Sequence, residues 1–116
     1  MAPNKAPAPL HVLFLCSRNK LRSPTAEQVF CQRADLEVMS AGLSADADVP
    51  CTPELVMWAD IIFVMERVHR TKLSAQFKRH LGRARVICLN IPDKFAFMEP
   101  ALINLLRSRA GPHLPT

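Results

Sequence analysis

One segment of the sequence combines a cysteine with the residues that bind a phosphoryl group. Cys16 ends an apolar run, and Arg22 stands six positions after it, followed by Ser23-Pro24. A cysteine thiolate is a nucleophile, and an arginine guanidinium can grip two phosphate oxygens at once. Backbone N–H groups of such a loop can also curl around an anion. The predicted phosphate-binding residues are Ser17, Arg18, Asn19, Lys20, Leu21, Arg22 and Ser23.

Cys16 is the cysteine whose surroundings favour the thiolate form. Serine is a favoured helix N-cap and proline a favoured first helical residue, so Ser23-Pro24 predicts a helix beginning there. The N-terminal end of that helix and Arg22 both stabilise negative charge on a nearby sulfur. The other three cysteines, at 31, 51 and 88, have no arginine six positions later. Cys16 is therefore the candidate catalytic nucleophile.

The elements that must position this loop alternate between strands and helices. Apolar runs predict strands at residues 11–15, 36–39, 60–65 and 85–89, separated by helices that begin near residues 23, 52, 67 and 99. Val29, Phe30 and Ala34 would form the buried face of the first helix, and the third would reach Leu81. This pattern predicts an α/β domain over residues 11–110, with a four-stranded parallel sheet and helices on both faces. Residues 1–10 are expected to be a disordered Pro-rich tail and residues 111–116 a flexible one.

Two candidate catalytic residues belong at the same edge of that sheet. In open parallel sheets, ligands bind beyond the carboxyl ends of the strands. Cys16 directly follows the first predicted strand, and the segment 90–93, which ends in Asp93, follows the fourth. We therefore expect Asp93 to lie near Cys16.

Several segments closely resemble the low-molecular-weight protein tyrosine phosphatase family, in the form of a short, compact bacterial-type member. The resemblance starts at residues 12–27, Val-Leu-Phe-Leu-Cys-Ser-Arg-Asn-Lys-Leu-Arg-Ser-Pro-Thr-Ala-Glu, and continues at Ser-Ala-Gly (40–42), residues 59–66 and Ile-Pro-Asp (91–93). It implies a Rossmann-like three-layer fold and hydrolysis of phosphotyrosine or other aryl phosphate monoesters through a phosphocysteine. The implied roles are nucleophile for Cys16, phosphoryl clamp for Arg22, thiolate partner for Ser23, loop support for Asn19 and general acid for Asp93.

The chain departs from the family pattern around the expected substrate pocket. Asp93 is followed by Lys94-Phe95, which are expected to line the pocket, with Phe95 stacking on the leaving group. Glu99 is the second candidate for the general acid, before Asp46 or Asp48. Only residues 43–59 fill a region that is longer in full-length relatives. Leu21 replaces the second loop cysteine of many eukaryotic members, which leaves Cys51 or Cys88 as redox partners that could approach in space.

These departures leave other functions open. The same loop could hydrolyse a small phosphorylated metabolite or nucleotide, including a cyclic phosphate, or could reduce arsenate with a further cysteine. A net charge of +5, with seven Lys or Arg between residues 66 and 85, also fits a module that binds phosphate or nucleic acid without turnover. Because binding alone needs no nucleophile, nucleic acid is not the expected partner.

The remaining expectations concern cofactors, compartment and single side chains. No metal, cofactor or membrane span is expected, and the substrate would be a phosphoprotein or a phosphorylated small molecule. No signal peptide is recognised at the N-terminus, and the cysteine spacing suggests no disulfide framework, so a cytoplasmic location is expected. The sequence does not indicate an oligomeric state. The expected positions are the surface for His69 and His80 and the core for Met57, Trp58 and Met65.

Overall fold

The computed structural model describes residues 8–115, in which strands and helices alternate. The strands are β1 (Leu10–Cys16), β2 (Leu36–Gly42), β3 (Ile61–Val64) and β4 (Arg85–Cys88). The helices are α1 (Arg22–Phe30), α2 (Pro53–Trp58), α3 (Arg67–Phe77) and α4 (Pro100–Ala110). Short 3-10 helices at Lys78–His80 and Gly111–His113 follow α3 and α4.

The four strands form one parallel sheet in the order β2-β1-β3-β4. All four residues of β3 are buried, as are the last five of β1. Central strands covered on both faces are apolar throughout, because neither face meets water. This arrangement confirms the predicted α/β fold class.

Two hydrophobic clusters cover the two faces of the sheet. Alternate residues of β1 point to opposite faces, so Phe14 belongs to one cluster and Leu15 to the other. The first cluster includes residues of α1 and α4, such as Phe30 and Leu106. The second includes residues of α2 and α3, such as Leu73. Helix, sheet and helix thus form the three layers that the family resemblance implied.

The sheet order creates a crevice at the carboxyl end of β1. The chain leaves β1 through α1 toward β2, then crosses through α2 to β3 on the other side of β1. Loops that follow β1 and β3 therefore separate to opposite faces, and such a switch point is where open α/β sheets bind ligands. Cys16 ends β1 at this crevice.

Several sequence predictions about individual positions were wrong. Ala34 lies outside α1 and is exposed, because Ala26 and Phe30 supply the buried face of that helix. Met57 is 59% exposed, since α2 turns only Val56 fully into the core, whereas Met65 is buried as predicted. Helix α3 ends at Phe77, before the predicted Leu81.

The ends of the domain also differ from the prediction. The expected N-terminal tail included Leu10, which is already paired with Leu36 in the sheet. The expected C-terminal tail contains Leu114, which is only 5% exposed and packs in the first cluster. The rest of those predictions, at residues 1–7 and 116, falls outside the described residues.

Candidate active site

The segment that follows β2 holds the predicted phosphate-binding loop, residues 16–23, in place. Backbone N–H groups of Leu43 and Ser44 donate to the carbonyl oxygens of Cys16 and Ser17 at 2.9 and 2.8 Å. The N–H of Asp48 donates to the carbonyl oxygen of Arg18 at 3.1 Å. These bonds turn the first loop carbonyls away from the crevice, which leaves the interior of the loop to N–H donors. The short 43–59 region thus supports the loop backbone.

Two residues allow this close packing, one because it has no side chain and the other because it tolerates a left-handed backbone conformation. A Cβ on Gly42 would lie 2.5 Å from the carbonyl oxygen of Ser17, so any side chain there would push the loop outward. Asn19 adopts a left-handed conformation with φ of 58°, which asparagine tolerates better than most residues. The turn at Asn19 directs its backbone N–H to the sulfur of Cys16, at 3.2 Å.

The sulfur of Cys16 lies among hydrogen-bond donors. Ser23 Oγ is 2.9 Å from Cys16 Sγ, and Asn19 Nδ2 donates to the same Ser23 oxygen at 2.9 Å. Ser23 Oγ accepts from Asn19, and its own proton can be donated to the sulfur or to the carbonyl oxygen of Ala41, 3.5 Å away. Two groups that can donate hydrogen bonds therefore lie against the sulfur, the Asn19 N–H and the Ser23 hydroxyl.

A buried polar network fixes Asn19 in turn. Asn19 Nδ2 also donates to Ser40 Oγ at 2.9 Å, and Ser40 Oγ donates to Glu27 Oε1 at 2.5 Å. Ser40 belongs to the Ser-Ala-Gly end of β2, and Glu27 lies on α1. The network therefore ties the loop to both of its neighbouring elements.

Helix α1 begins two residues earlier than predicted from Ser23 as the N-cap and Pro24 as the first helical residue. The helix starts at Arg22, and its N-cap residue, Leu21, makes no side-chain capping bond. Ser23 does not cap the helix because its hydroxyl contacts Cys16 instead. The first N–H groups of any helix lack partners within the helix and attract anions. The amino end of α1 is thus directed at the phosphate-binding loop.

Arg22 is buried and held by one end of its guanidinium group. Nη1 donates to Glu66 Oε1 at 2.5 Å and to the carbonyl oxygen of Ile91 at 2.8 Å. Both Nη1 protons are thereby used, and the edge formed by Nε and Nη2 makes no hydrogen bond within residues 8–115. That edge has the fork geometry that binds two phosphate oxygens.

Asp93 lies in the same pocket as Cys16. The lining residues of this pocket, a cavity of about 190 Å³, are Cys16, Ser17, Arg18, Lys20, Leu21, Arg22 and Asp93. Asp93 is largely exposed, and its Oδ1 is 3.8 Å from Arg22 Nε. The second candidate acid, Glu99, accepts a hydrogen bond from the N–H of Ala96 and does not line the pocket.

The other two candidate acids pair with cations of the loop. Asp48 Oδ1 is 2.8 Å from Lys20 Nζ, and Asp46 Oδ2 is 3.8 Å from Arg18 Nη2. A hydrogen bond from Ser44 and the charge of Arg18 lower the pKa of Asp46, which keeps this carboxyl ionised. Neither Asp46 nor Asp48 lines the pocket that contains Cys16, which leaves Asp93 as the better candidate.

The predicted pocket residues Lys94 and Phe95 do not line the pocket. Phe95 is only 9% exposed because its ring packs in the first hydrophobic cluster, which also contains Ile91. Lys94 Nζ lies 5.6 Å from the centre of that ring, over the packed Phe95. Stacking of Phe95 on a leaving group was therefore a wrong expectation, since the ring is used for packing.

Comparison with known proteins agrees with this geometry. The model of the low molecular weight phosphotyrosine protein phosphatase family matches residues 11–57. These residues include the whole phosphate-binding loop. The matched segment is less than half of the chain, and the chain as a whole has the fold of these phosphatases. The chain is accordingly a cysteine-dependent phosphatase, one of the phosphoric ester hydrolases.

Solved structures of such phosphatases superpose over most of the chain. Vibrio vulnificus Wzb, in complex with benzylphosphonate, is 22% identical with a TM-score of 0.73, over 90% of this chain and 96% of that one. Escherichia coli tyrosine phosphatase Wzb, in complex with phosphate, is 19% identical with a TM-score of 0.67, over 89% and 94%. The YwlE arginine phosphatase from Geobacillus stearothermophilus is 19% identical with a TM-score of 0.59, over 90% and 85%. No match was found among curated proteins.

Sequence reasoning missed two residues of the phosphatase site, Glu66 and His69. Glu66 lies two residues after the end of β3, at the same sheet edge as Cys16, and it holds Arg22. His69 is 1% exposed, so its predicted surface position was wrong. The spacing Glu66-x-x-His69 after a strand carried the signal, because it matches the reciprocal capping box that the two side chains form at the start of α3.

The other cysteines of the phosphatase are poorly placed to act with Cys16. Cys51 and Cys88 pack against the second hydrophobic cluster, whereas Cys16 belongs to the first. Burial raises the pKa of the Cys51 thiol to about 12, which disfavours its reactive thiolate form. Within residues 8–115, all cysteines are free thiols.

The described residues contain neither a cluster of metal ligands nor a helix that could span a membrane. No three His, Cys, Asp or Glu side chains are grouped in a way that could hold a metal ion. None of the helices in residues 8–115 has the length and apolar character needed to cross a bilayer.

Proposed function

We propose that this phosphatase hydrolyses phosphotyrosine or other aryl phosphate monoesters through a phosphocysteine intermediate at Cys16. The observation that carries the proposal is that Cys16, Arg22 and Asp93 line one pocket, with Arg22 Nε 3.8 Å from the Asp93 carboxyl. They are, respectively, a nucleophile, a clamp for the phosphoryl oxygens and a proton donor. A site that only binds phosphate needs neither the first nor the third.

In the first step, the Cys16 thiolate attacks phosphorus. A lone pair of sulfur forms the S–P bond while the bond from phosphorus to the leaving oxygen breaks. The protonated Asp93 carboxyl gives its proton to that oxygen, so the alcohol leaves neutral. Arg22 and the N–H groups of the loop bear the charge on the three remaining oxygens, which is the main catalytic demand of phosphoryl transfer.

In the second step, water releases the phosphoryl group. The Asp93 carboxylate takes a proton from the attacking water, whose oxygen bonds to phosphorus as the S–P bond breaks. The sulfur leaves as a thiolate, stabilised by the Asn19 N–H and the Ser23 hydroxyl. Asp93 is protonated again and inorganic phosphate departs, so the enzyme returns to its starting state.

The dimensions of the pocket favour a phosphorylated side chain over a whole nucleotide. Its volume of about 190 Å³ is below the 300–1,000 Å³ typical of sites that enclose drug-sized ligands. The phosphoryl group and the nearest part of the leaving group fill such a space, and the rest of the substrate lies outside. Because Phe95 is packed away, the pocket supplies no large ring that would stack on a base.

A panel of phosphate esters tests the substrate class. We expect kcat/KM to be highest for phosphotyrosine peptides and p-nitrophenyl phosphate, lower for alkyl monoesters and lowest for cyclic or linear nucleotides. A phosphoarginine peptide belongs in the panel because two of the solved structures with a similar fold are those of arginine phosphatases. Higher kcat/KM for a nucleotide or for phosphoarginine would overturn the aryl assignment while leaving the phosphatase class intact.

Asp93→Asn should lower kcat/KM by about 10²–10⁴-fold for substrates with poor leaving groups, because a positioned general acid contributes this much. The loss in kcat/KM should be much smaller for p-nitrophenyl phosphate, whose leaving oxygen needs little protonation. The measurement is kcat/KM, which reports the first step alone, against the pKa of a series of phenol leaving groups, where the variant should show the steeper dependence.

Glu99→Gln is the matched control for this general acid. Its carboxylate accepts one bond from the Ala96 N–H, which an amide oxygen can replace, so kcat should stay near that of the unmodified protein. Equal leaving-group dependence in Asp93→Asn and the unmodified protein, or a loss in Glu99→Gln instead, would refute the assignment of Asp93.

The proposed activity requires a compartment that contains phosphoproteins and keeps cysteine thiols reduced. Free cysteines throughout residues 8–115 fit a reducing compartment, and we propose the cytoplasm. The partner is then a phosphorylated protein, or a small aryl phosphate that presents the same group.

A further inference from the structure

His69 is a fully buried polar side chain next to the phosphate-binding loop, and both of its ring nitrogens have partners. Nδ1 is 3.0 Å from the backbone nitrogen of Glu66, and Nε2 is 3.0 Å from Ser17 Oγ. The ring therefore bridges the first turn of α3 and the residue that directly follows the nucleophile. General acid, nucleophile and clamp are already assigned to other residues, so this bridge has no role in the reaction so far.

The partners of the ring decide which nitrogen carries the proton. The Glu66 N–H can only donate, so Nδ1 must accept and cannot be protonated. Burial, with a further contribution from Arg22 and Lys72 against Glu66 and Asp93, lowers the pKa of His69 to about 4. The ring is therefore neutral near neutral pH, and its single proton lies on Nε2.

The proton on Nε2 determines how the Ser17 hydroxyl is oriented. Nε2–H donates to Ser17 Oγ, so one lone pair of that oxygen is occupied and the hydroxyl keeps its own proton to donate. Ser17 lines the pocket beside Cys16. A hydroxyl that is free to rotate would be donor or acceptor with equal ease, whereas this one is fixed as a donor before the substrate arrives.

We infer that His69 is a positioning residue, which holds the Ser17 hydroxyl as a hydrogen-bond donor to the transferring phosphoryl group. The inference rests on the proposed function for its catalytic consequence. Ser17 is the group that touches the phosphoryl oxygen, and His69 acts through it. Donors preset toward the developing charge are worth more than donors that must reorient during the reaction.

Two substitutions separate the two bonds of the ring. The amide oxygen of His69→Asn lies near the Nδ1 position, so it can still accept from the Glu66 N–H, but it no longer reaches Ser17. His69→Gln places its terminal NH₂ near the Nε2 position and can still donate to Ser17. We expect His69→Asn and Ser17→Ala each to lower kcat/KM for p-nitrophenyl phosphate by about tenfold, as the loss of one hydrogen bond to a charged group predicts. His69→Gln should stay within about threefold of the unmodified protein by the same reasoning.

A double-mutant cycle shows whether His69 acts through Ser17. If it does, the variant carrying both His69→Asn and Ser17→Ala should be no slower than either single variant, because the second change removes nothing more. The inference would be overturned if the losses in kcat/KM of the two single variants multiply in the double variant, or if Ser17→Ala leaves kcat/KM unchanged. Equal losses of kcat/KM in His69→Asn and His69→Gln would overturn it as well. A merely structural histidine predicts losses that follow the melting temperature of each variant instead.

Binding of inorganic phosphate keeps this test independent of turnover. Titration calorimetry should show the same cycle in Kd, with affinity weakened in His69→Asn and Ser17→Ala and retained in His69→Gln. A protein that binds phosphate in this pattern but hydrolyses no ester would overturn the proposed function while supporting the positioning role. Equal phosphate affinity in all variants, with aryl phosphate hydrolysis intact, would overturn the positioning role alone.

Discussion

Cys16→Ser should abolish phosphatase turnover while the protein still binds phosphate. Loss of a catalytic nucleophile costs on the order of 10⁴–10⁶ in kcat, because a serine hydroxyl at this position is not an anion. The loop N–H groups and Arg22 remain, and the negative charge of the sulfur is gone. Affinity for inorganic phosphate should therefore be retained or increased, as measured by titration calorimetry beside kcat for p-nitrophenyl phosphate.

Cys31→Ser is the matched control, because it makes the same chemical change at an exposed thiol on the C-terminal end of α1. That variant should keep full turnover. In the unmodified protein, rapid quenching should trap a phosphoryl group on the peptide that contains Cys16. Turnover by Cys16→Ser above about 1% of the unmodified rate would contradict a nucleophile role that carries 10⁴-fold or more. So would labelling of a different cysteine.

A related protein gives this experiment a useful reference. In a cysteine-to-serine variant of the YwlE arginine phosphatase, the active-site serine is phosphorylated. A stable phosphoserine at position 16 in Cys16→Ser would likewise mark the atom that attacks phosphorus. Mass spectrometry of the substrate-treated variant reads this out directly.

The part of the site that follows local rules could be predicted from the sequence. The loop after β1 was predicted because apolar strands are recognised from composition. In an open parallel sheet the ligand-binding residues lie beyond the carboxyl ends of such strands. That argument placed Cys16 and Asp93 at one edge, and the structure puts both in one pocket. The same argument applied to Glu66, which lies two residues after β3, would have found the residue that holds Arg22.

The part that depends on packing could not be predicted. His69 sits in a helix rich in Lys and Arg, where an isolated histidine is usually solvated, and only the position of Ser17 across the crevice explains its burial. Phe95 follows Asp93 closely enough to suggest a substrate contact, but its ring packs in the first hydrophobic cluster instead. The sequence position of a residue relative to a strand predicts at which edge of the sheet the residue lies. Whether its side chain is buried depends on elements that are distant in sequence.

The structure also shows contacts of the exposed loop cations, Arg18 and Lys20, that the sequence did not reveal. Lys20 and Arg18 looked like additional phosphate ligands, yet each faces an aspartate of the segment after β2. Both pairs are largely exposed, where an ion pair contributes little to the free energy of unfolding. Arg18 and Lys20 line the pocket together with Arg22, and of these three cations only Arg22 is buried.

Arg22→Lys should lower kcat/KM for aryl phosphates by about 10²–10³-fold, although it keeps the positive charge. Removing one preorganised donor at a developing oxyanion costs about this much, and lysine cannot form the two-pronged Nε–Nη2 contact. The loss should appear mainly in kcat, because the fork fits the planar arrangement of oxygens in the transition state better than the ground state. Steady-state kinetics with p-nitrophenyl phosphate measure both constants.

Two further variants separate this catalytic loss from damage to the fold. Arg33→Lys makes the same change in an exposed pair with Asp35, far along the chain from the loop, and should leave kcat and KM unchanged. Glu66→Gln weakens the bond that holds Nη1 but leaves the Nε–Nη2 edge of Arg22 intact, so its loss in kcat should be smaller than that of Arg22→Lys. If Glu66→Gln and Arg22→Lys lose activity equally, and in proportion to their melting temperatures, Arg22 serves the structure of the loop and the proposed clamp is wrong.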